Sequence, residues 1–202
     1  MKNICITILL SVLFMGTSCV ESQPRSGGDD YLLELAQKRR SIRRYTDRKI
    51  ERSLIDSILQ VAMFAPSSYG QRPVEFVVVD DKKTLAALAD TKRIGAPSVR
   101  AATVAIVVIA DREKGELWIE DTSVAASYIL LAAEHYGIGA CWNQIRDRDG
   151  QHASSEQEIR ELLDIPSRYS VLCIIAMGYK GEQKAPHSTN ELDFGKIHFG
   201  RF

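Results

Sequence analysis

Ser123-Val124-Ala125-Ala126-Ser127-Tyr128-Ile129-Leu130-Leu131-Ala132-Ala133-Glu134-His135-Tyr136 places apolar residues on nearly every side of a helical wheel. A helix running from Asp121 to Tyr136 with that pattern belongs at the centre of a core or at a subunit interface. Gly137-Ile138-Gly139 ends it, and Ala140-Cys141-Trp142-Asn143 continues as a short extended stretch. Two further runs, Ala102 to Ala110 and Val171 to Tyr179, are almost unbroken Val, Ile and Ala, which predicts strands buried on both faces. Glu75 to Asp80 is a third strand by its β-branched content. Helices are expected from about Glu51 to Ala65, where Pro66 stops the pattern, from Lys82 to about Asp90, and from Ser154 to Leu163. The last has Ser154 or Ser155 as its cap and Gln157 or Glu158 in the box position. Strands and helices alternate, so the chain reads as α/β (α+β).

At 202 residues, 45% hydrophobic and 26% charged, one globular domain with a sizeable core is expected. Lys plus Arg equals Asp plus Glu at 26 each, so no whole-molecule field favours nucleic acid or an anionic membrane. Residues 1–18 read as a signal peptide: a short basic start, an apolar run from Ile4 to Met15, then small residues before Cys19. Gly16-Thr17-Ser18-Cys19 resembles a bacterial lipoprotein cleavage site with Cys19 acylated, although Gly16 stands where an aliphatic residue is usual; ordinary signal cleavage is the alternative. Residues 19–30 then form a lipidated cysteine and a polar tether, with a reach of roughly 35 Å at full extension. Residues 31–202 are the folded domain. The chain is expected to be exported and lipid-anchored, on the periplasmic side or at the cell surface.

Charge is concentrated in Arg39-Arg40-Ser41-Ile42-Arg43-Arg44-Tyr45, which follows a helical pattern of Leu32, Leu33, Leu35 and Ala36. Guanidinium forks match the acceptor oxygens of a phosphate monoester. Were the segment helical, Arg39 and Arg43 would share one face, and Arg40 and Arg44 the next. A solvated basic face accounts for the same charges. The loop Ala65 to Pro73 is rich in hydroxyls and turn formers, suited to contacting a polar ring edge. No GxGxxG follows the first strand and there is no Walker loop, which argues against a dinucleotide-binding Rossmann unit and a P-loop. His135, His152, His187 and His198 lack ligand spacing, so no metal site is expected.

Four segments in order, RRSIRRY, APSSYGQRPVEFVVV, YGIGACW and IIAMGYKGEQKAPH, resemble the FMN-dependent nitroreductase family. The resemblance implies a central mixed sheet flanked by helices, and a homodimer with FMN at the subunit interface. It places the FMN phosphate on Arg39, Arg40, Ser41 and Arg43, with Lys184 and His187 as later candidates. The arginine many members carry in that later segment is absent. Pro66, Ser67, Ser68 and Gly70 would contact the flavin ring, often that of the partner subunit. Arg72 replaces a usual neutral amide, and a cation there would raise the flavin's reduction potential; a solvent-facing arginine is the other reading. Lys92, Arg93 or Arg100 would supply a basic group to the ring. Gly139, Ala140 and Cys141 would lie along one flavin face. Cys141, with no neighbouring base in sequence, reads as a small apolar wall in preference to a nucleophile.

The implied activity is a ping-pong transfer of electrons from a reduced donor, NAD(P)H in the family, to a nitroaromatic, quinone or similar acceptor. Export conflicts with a cytoplasmic donor. The signal also lacks a twin arginine, so FMN would be acquired after translocation. Two other readings stay open: a flavin-binding electron carrier without turnover, and a surface module binding anionic lipid through residues 38 to 49.

Overall fold

The computed structural model describes residues 30–202. The expected signal peptide, Cys19 and all of the tether before residue 30 lie outside the described residues. In chain order come α1 (Tyr31–Lys38), α2 (Arg52–Met63), β1 (Val74–Val79), α3 (Lys82–Asp90), α4 (Pro97–Ala101), β2 (Val104–Asp111), α5 (Trp118–His135), β3 (Ile138–Gln144), α6 (Ser155–Leu162) and β4 (Tyr169–Tyr179). Single 3-10 turns follow at Thr189–Glu191 and Phe194–Lys196. Among the described residues no helix is long and apolar enough to cross a membrane.

The strands form one sheet in the order β1-β2-β4-β3, and all three pairings are antiparallel. The expected mixed sheet is corrected accordingly: among the described residues the parallel component is confined to an isolated bridge between Ser41 and Ala140. Unbroken apolar runs report burial on both faces, which helices on both faces supply whatever the strand direction. In β2, Val104, Ile106 and Val108 pack with Ile55 and Ile58 of α2 and Ile129 of α5. The alternate residues Ala105, Val107 and Ile109 pack with Leu85 of α3, Val99 of α4 and Ile159 of α6. Period-two alternation thus feeds two cores from one strand.

Local signals account for the starts of α3 and α6. Asp81 accepts hydrogen bonds from the backbone N–H groups of Lys83 and Thr84, at 3.1 and 3.0 Å. Ser154, of the two candidates, caps α6 by accepting from the Gln157 N–H at 3.2 Å. The short helix α4, with Pro97 in its first turn, lies in a stretch where the sequence pattern predicts no helix.

Candidate functional site

The basic segment is extended. Helix α1 ends at Lys38, and the chain then runs along the β3 and β4 edge. The Ile42 N–H donates to Ala140 O (3.0 Å), the Thr46 N–H to Tyr179 O (2.9 Å), and the Gly181 N–H to Arg44 O (2.9 Å). The helical spacing of Arg39 and Arg43 therefore does not apply to this segment. Two residues fasten the segment. Ile42 is buried and fills the space a Cβ at Gly139 would need, its Cγ2 lying 2.8 Å from that position. Tyr45 donates to the carbonyls of Ile42 (2.6 Å) and Ala176 (3.1 Å), and burial holds its phenol well above the usual value. Arg44 is exposed.

The tail brings the later basic residues to the same place. Lys184 Nζ donates to Ser41 O at 2.5 Å, Arg40 Nη1 to Ala185 O, and the His187 N–H to Gln37 O at 2.9 Å. Glu182 accepts from the Arg43 and Arg44 N–H groups at 2.6 and 3.3 Å. These bonds, the Arg43 one foremost, hold its carboxyl below the usual range against an opposing effect of burial. Lys180 is matched by Glu134 at 2.7 Å, and Lys184 stands 3.7 Å from Glu182. Among the described residues, however, no carboxylate pairs with the side chain of Arg39, Arg40, Arg43 or Arg44. Guanidinium groups without an acidic partner keep donors that a phosphate can take, the chemistry expected of Arg39, Arg40 and Arg43.

Gly139, Ala140 and Cys141 sit in β3 beside this segment, joined to it through the Ser41–Ala140 bridge. All three are buried. Cys141 makes a weak bond to the Trp142 carbonyl (Sγ···O 3.6 Å) and is unpaired, as is Cys173. The structure thus gathers three of the four sequence groups: Arg39 to Arg43, Gly139 to Cys141, and Lys184 with His187.

The fourth group, Pro66 to Arg72, stands apart. No hydrogen bond or ion pair links it to the others among the described residues. Tyr69, Gly70 and Arg72 have φ of 51°, 68° and 48°, left-handed values that only Gly70 adopts without strain, while Gln71 between them is right-handed. Two side chains hold it. Ser67 Oγ accepts from the Arg72 N–H at 2.9 Å, and Asp121 Oδ1 accepts from the Ser68 N–H at 2.8 Å. Asp121 is only 4% exposed. The sequence reading missed its role, because an acid at a helix start is explained by the helix dipole alone. Its position opening an otherwise apolar helix was the available signal.

Of the three candidates for a basic group near the ring, Arg93 pairs with Asp149 (2.8 Å) and Arg100 with Asp90. Lys92 has no ion pair among the described residues and shares a pocket with Arg148. Burial first, then the Arg148 charge, lowers its ammonium pKa, partly offset by Cys141.

The profile of the Nitroreductase family matches residues 36–101 and 87–179. The solved FMN-dependent nitroreductase of Clostridium difficile R20291 is 46% identical with a TM-score of 0.81, covering 84% of this chain and 99% of that one. A protein from Methanothermobacter thermautotrophicus, provisionally named NADH dehydrogenase/NAD(P)H nitroreductase, is 34% identical over 85% of this chain and 87% of its own. A provisional nitroreductase of Desulfovibrio desulfuricans, solved in complex with FMN, is 28% identical with a TM-score of 0.67, over 85% and 99% of the two chains.

Proposed function

The chain belongs to the nitroreductase family, and from that premise we propose an FMN-dependent oxidoreductase passing electrons from a reduced donor, NAD(P)H by relatives' names, to a nitroaromatic, quinone or similar small acceptor. The observation that carries this is that, among the described residues, the side chains of Arg39, Arg40 and Arg43 lack a carboxylate partner, while the tail brings Lys184 onto Ser41 O and the His187 N–H onto Gln37 O beside them. FMN, when bound, supplies the redox chemistry.

The chain's own residues bind and orient. Arg39, Arg40, Ser41 and Arg43, assisted by Lys184 and His187, hold the phosphate. Gly139, Ala140 and Cys141 provide a small-residue wall. Lys92, the cation of its region without an acidic partner among the described residues, is directed to the ring in preference to Arg93 and Arg100. Pro66, Ser67, Ser68, Gly70 and Arg72 contact the ring edge. In one chain that loop stands apart from the phosphate segment, so a homodimer in which each copy completes the other's site is the assembly that joins them. The apolar groove of Tyr31, Leu32, Leu35, Tyr128 and Leu131 offers a surface for this contact. Export and acylation of Cys19 would tether the dimer to a membrane through the residues before the domain.

Purified full-length protein tests the reading. A yellow preparation, bleached by NADH or NADPH and recoloured by a quinone or nitroaromatic, is the expected result. Bound flavin that no acceptor reoxidises would point to an electron carrier. Colourless protein that cannot be reconstituted with FMN, yet binds anionic liposomes in a salt-sensitive way, would point to a lipid-binding module.

A further inference from the structure

Beyond β3 the chain makes a short loop, residues 147–153, before α6, and that loop is bonded to the segment that follows α3. Arg93 supplies one link: its N–H donates to Asp149 O at 2.9 Å, and its guanidinium pairs with the Asp149 carboxylate at 2.8 Å. Gln151 supplies the other, its side-chain amide donating to the carbonyls of Asp90 (3.0 Å) and Lys92 (3.2 Å). An acid on α6 keeps Gln151 in place. Glu158 Oε1 accepts from the backbone N–H groups of His152 at 2.7 Å and Ala153 at 3.0 Å, and with Ala153 O it fills the space that a Cβ at Gly150 would need. Burial pushes the Glu158 carboxyl up, yet the N–H groups of His152, Ala153 and Gln151 together hold it below the ordinary value. Bonds to a carboxylate are roughly twice as strong as neutral ones, so a turn that gives several N–H groups to one acid has a single favoured shape.

Neither Glu158 nor Gln151 lines the pocket that Lys92 shares with Arg148. They fix its main chain from behind, Gln151 at Lys92 and the first turn of α6 at Arg148, whose carbonyl accepts from the Ser155 N–H at 2.9 Å. The acids of that pocket are engaged, Asp149 by Arg93 and Asp147 by Arg146. Lys92 therefore has its backbone held and its ammonium without a carboxylate among the described residues.

We propose that Glu158, through the 150–153 turn and Gln151, is the positioning residue that presents Lys92 to the bound flavin. This rests on the reading of Lys92 as the ring's cation. The flavin's reduction potential then answers to an acid outside the pocket, because a cation held against the ring stabilises the anionic reduced form and a loosened turn gives part of that up.

A double-mutant cycle tests the relay. In full-length protein loaded with FMN, Lys92→Ala should lower the preference for reduced over oxidised flavin about tenfold, about 30 mV for a two-electron couple. Glu158→Ala should move the potential in the same direction, and Glu158→Gln, which keeps an acceptor for the turn, by less. In the Lys92→Ala background Glu158→Ala should add nothing. An equal Glu158→Ala shift in both backgrounds overturns the proposal, as does a shift with Lys92→Ala and none with Glu158→Ala.

The pH profile of Lys92 acetylation, followed by mass spectrometry on the full-length proteins before FMN is added, gives an answer independent of the ring. Burial first, then the Arg148 charge, holds this ammonium below the ordinary lysine value, partly offset by Cys141. Opening the turn with Glu158→Ala should move the profile up toward that value. Should this variant fail to fold, Gln151→Ala on the exposed loop is read in its place. An unmoved profile overturns the proposal. A moved profile in a protein whose potential ignores Lys92→Ala supports the hold of Glu158 on Lys92 and overturns the reading of Lys92 as the ring's cation, so the two failures are told apart.

Discussion

Residues 39–44 and 92–100 are both rich in cations, yet they use them differently. In the second stretch Arg93 and Arg100 meet Asp149 and Asp90, leaving Lys92 as its cation without an acidic partner among the described residues. In the first, four arginines have no acidic partner among the described residues, and the nearby acids serve other groups: Glu182 the backbone of Arg43 and Arg44, Glu134 the ammonium of Lys180. Charge density alone does not separate a structural cluster from a binding one. The distribution of partners says more, because guanidinium groups without a carboxylate keep donors that water or an anion can take, and the proposed FMN phosphate is such an anion.

The comparison breaks most visibly by deleting charge on each side. Arg39→Ala with Arg43→Ala removes two charge-assisted donors, each worth about 1.5–3 kcal/mol, so FMN affinity should fall about 100-fold or more. The fold should persist, since Ile42 and Tyr45 rather than the arginines pin the segment. Arg93→Ala with Arg100→Ala removes exposed pairs worth about 1 kcal/mol or less each and should leave FMN affinity within about twofold. Equilibrium titration of flavin fluorescence measures both, and equal losses in the two variants would erase the distinction.

A smaller effect tests how the phosphate segment is held. An alanine Cβ at Gly139 would lie 2.8 Å from Ile42 Cγ2, 2.9 Å from its Cβ and 3.1 Å from Lys180 Cγ. Ile42 Cβ is fixed by the backbone and cannot rotate away. Gly139→Ala should therefore destabilise the protein by about 1–3 kcal/mol and weaken FMN in step, as Ser41 and Ile42 are pushed off the β3 edge. A urea midpoint equal to the wild type's would mean that the segment is loosely seated.

The sequence made the sheet and helix order legible because long apolar runs dominate β2, α5 and β4, and their burial is decided locally. It misplaced what depends on distant partners. The arginine run could continue the helix as far as its spacing goes, and only the Ile42–Ala140 hydrogen bond and the Ile42–Gly139 contact draw it out alongside β3. Arg93, Arg100 and Lys92 are equivalent in sequence, and only Asp149 and Asp90 distinguish them. Asp121 was invisible as a site residue because its link to Ser68 spans 53 positions.

Glu182 provides the subtlest test of the same comparison, because it is the acid that approaches the arginine segment without pairing with a guanidinium. Its folded pKa lies below the ordinary value of 4.5, chiefly through the Arg43 N–H, with Arg44 and Lys184 assisting. A carboxyl depressed on folding contributes stability that is fully present above the unfolded value and is lost as pH falls through the folded one. Glu182→Gln keeps an acceptor for the Arg43 N–H but removes the charge. The difference in urea midpoint between wild type and E182Q should therefore be small and constant from about pH 7 down to about pH 5, then close toward zero as the medium is acidified further. A difference that persists unchanged below about pH 3 would assign the role of Glu182 to packing, and the backbone of the arginine segment would then need another source of its electrostatic anchoring.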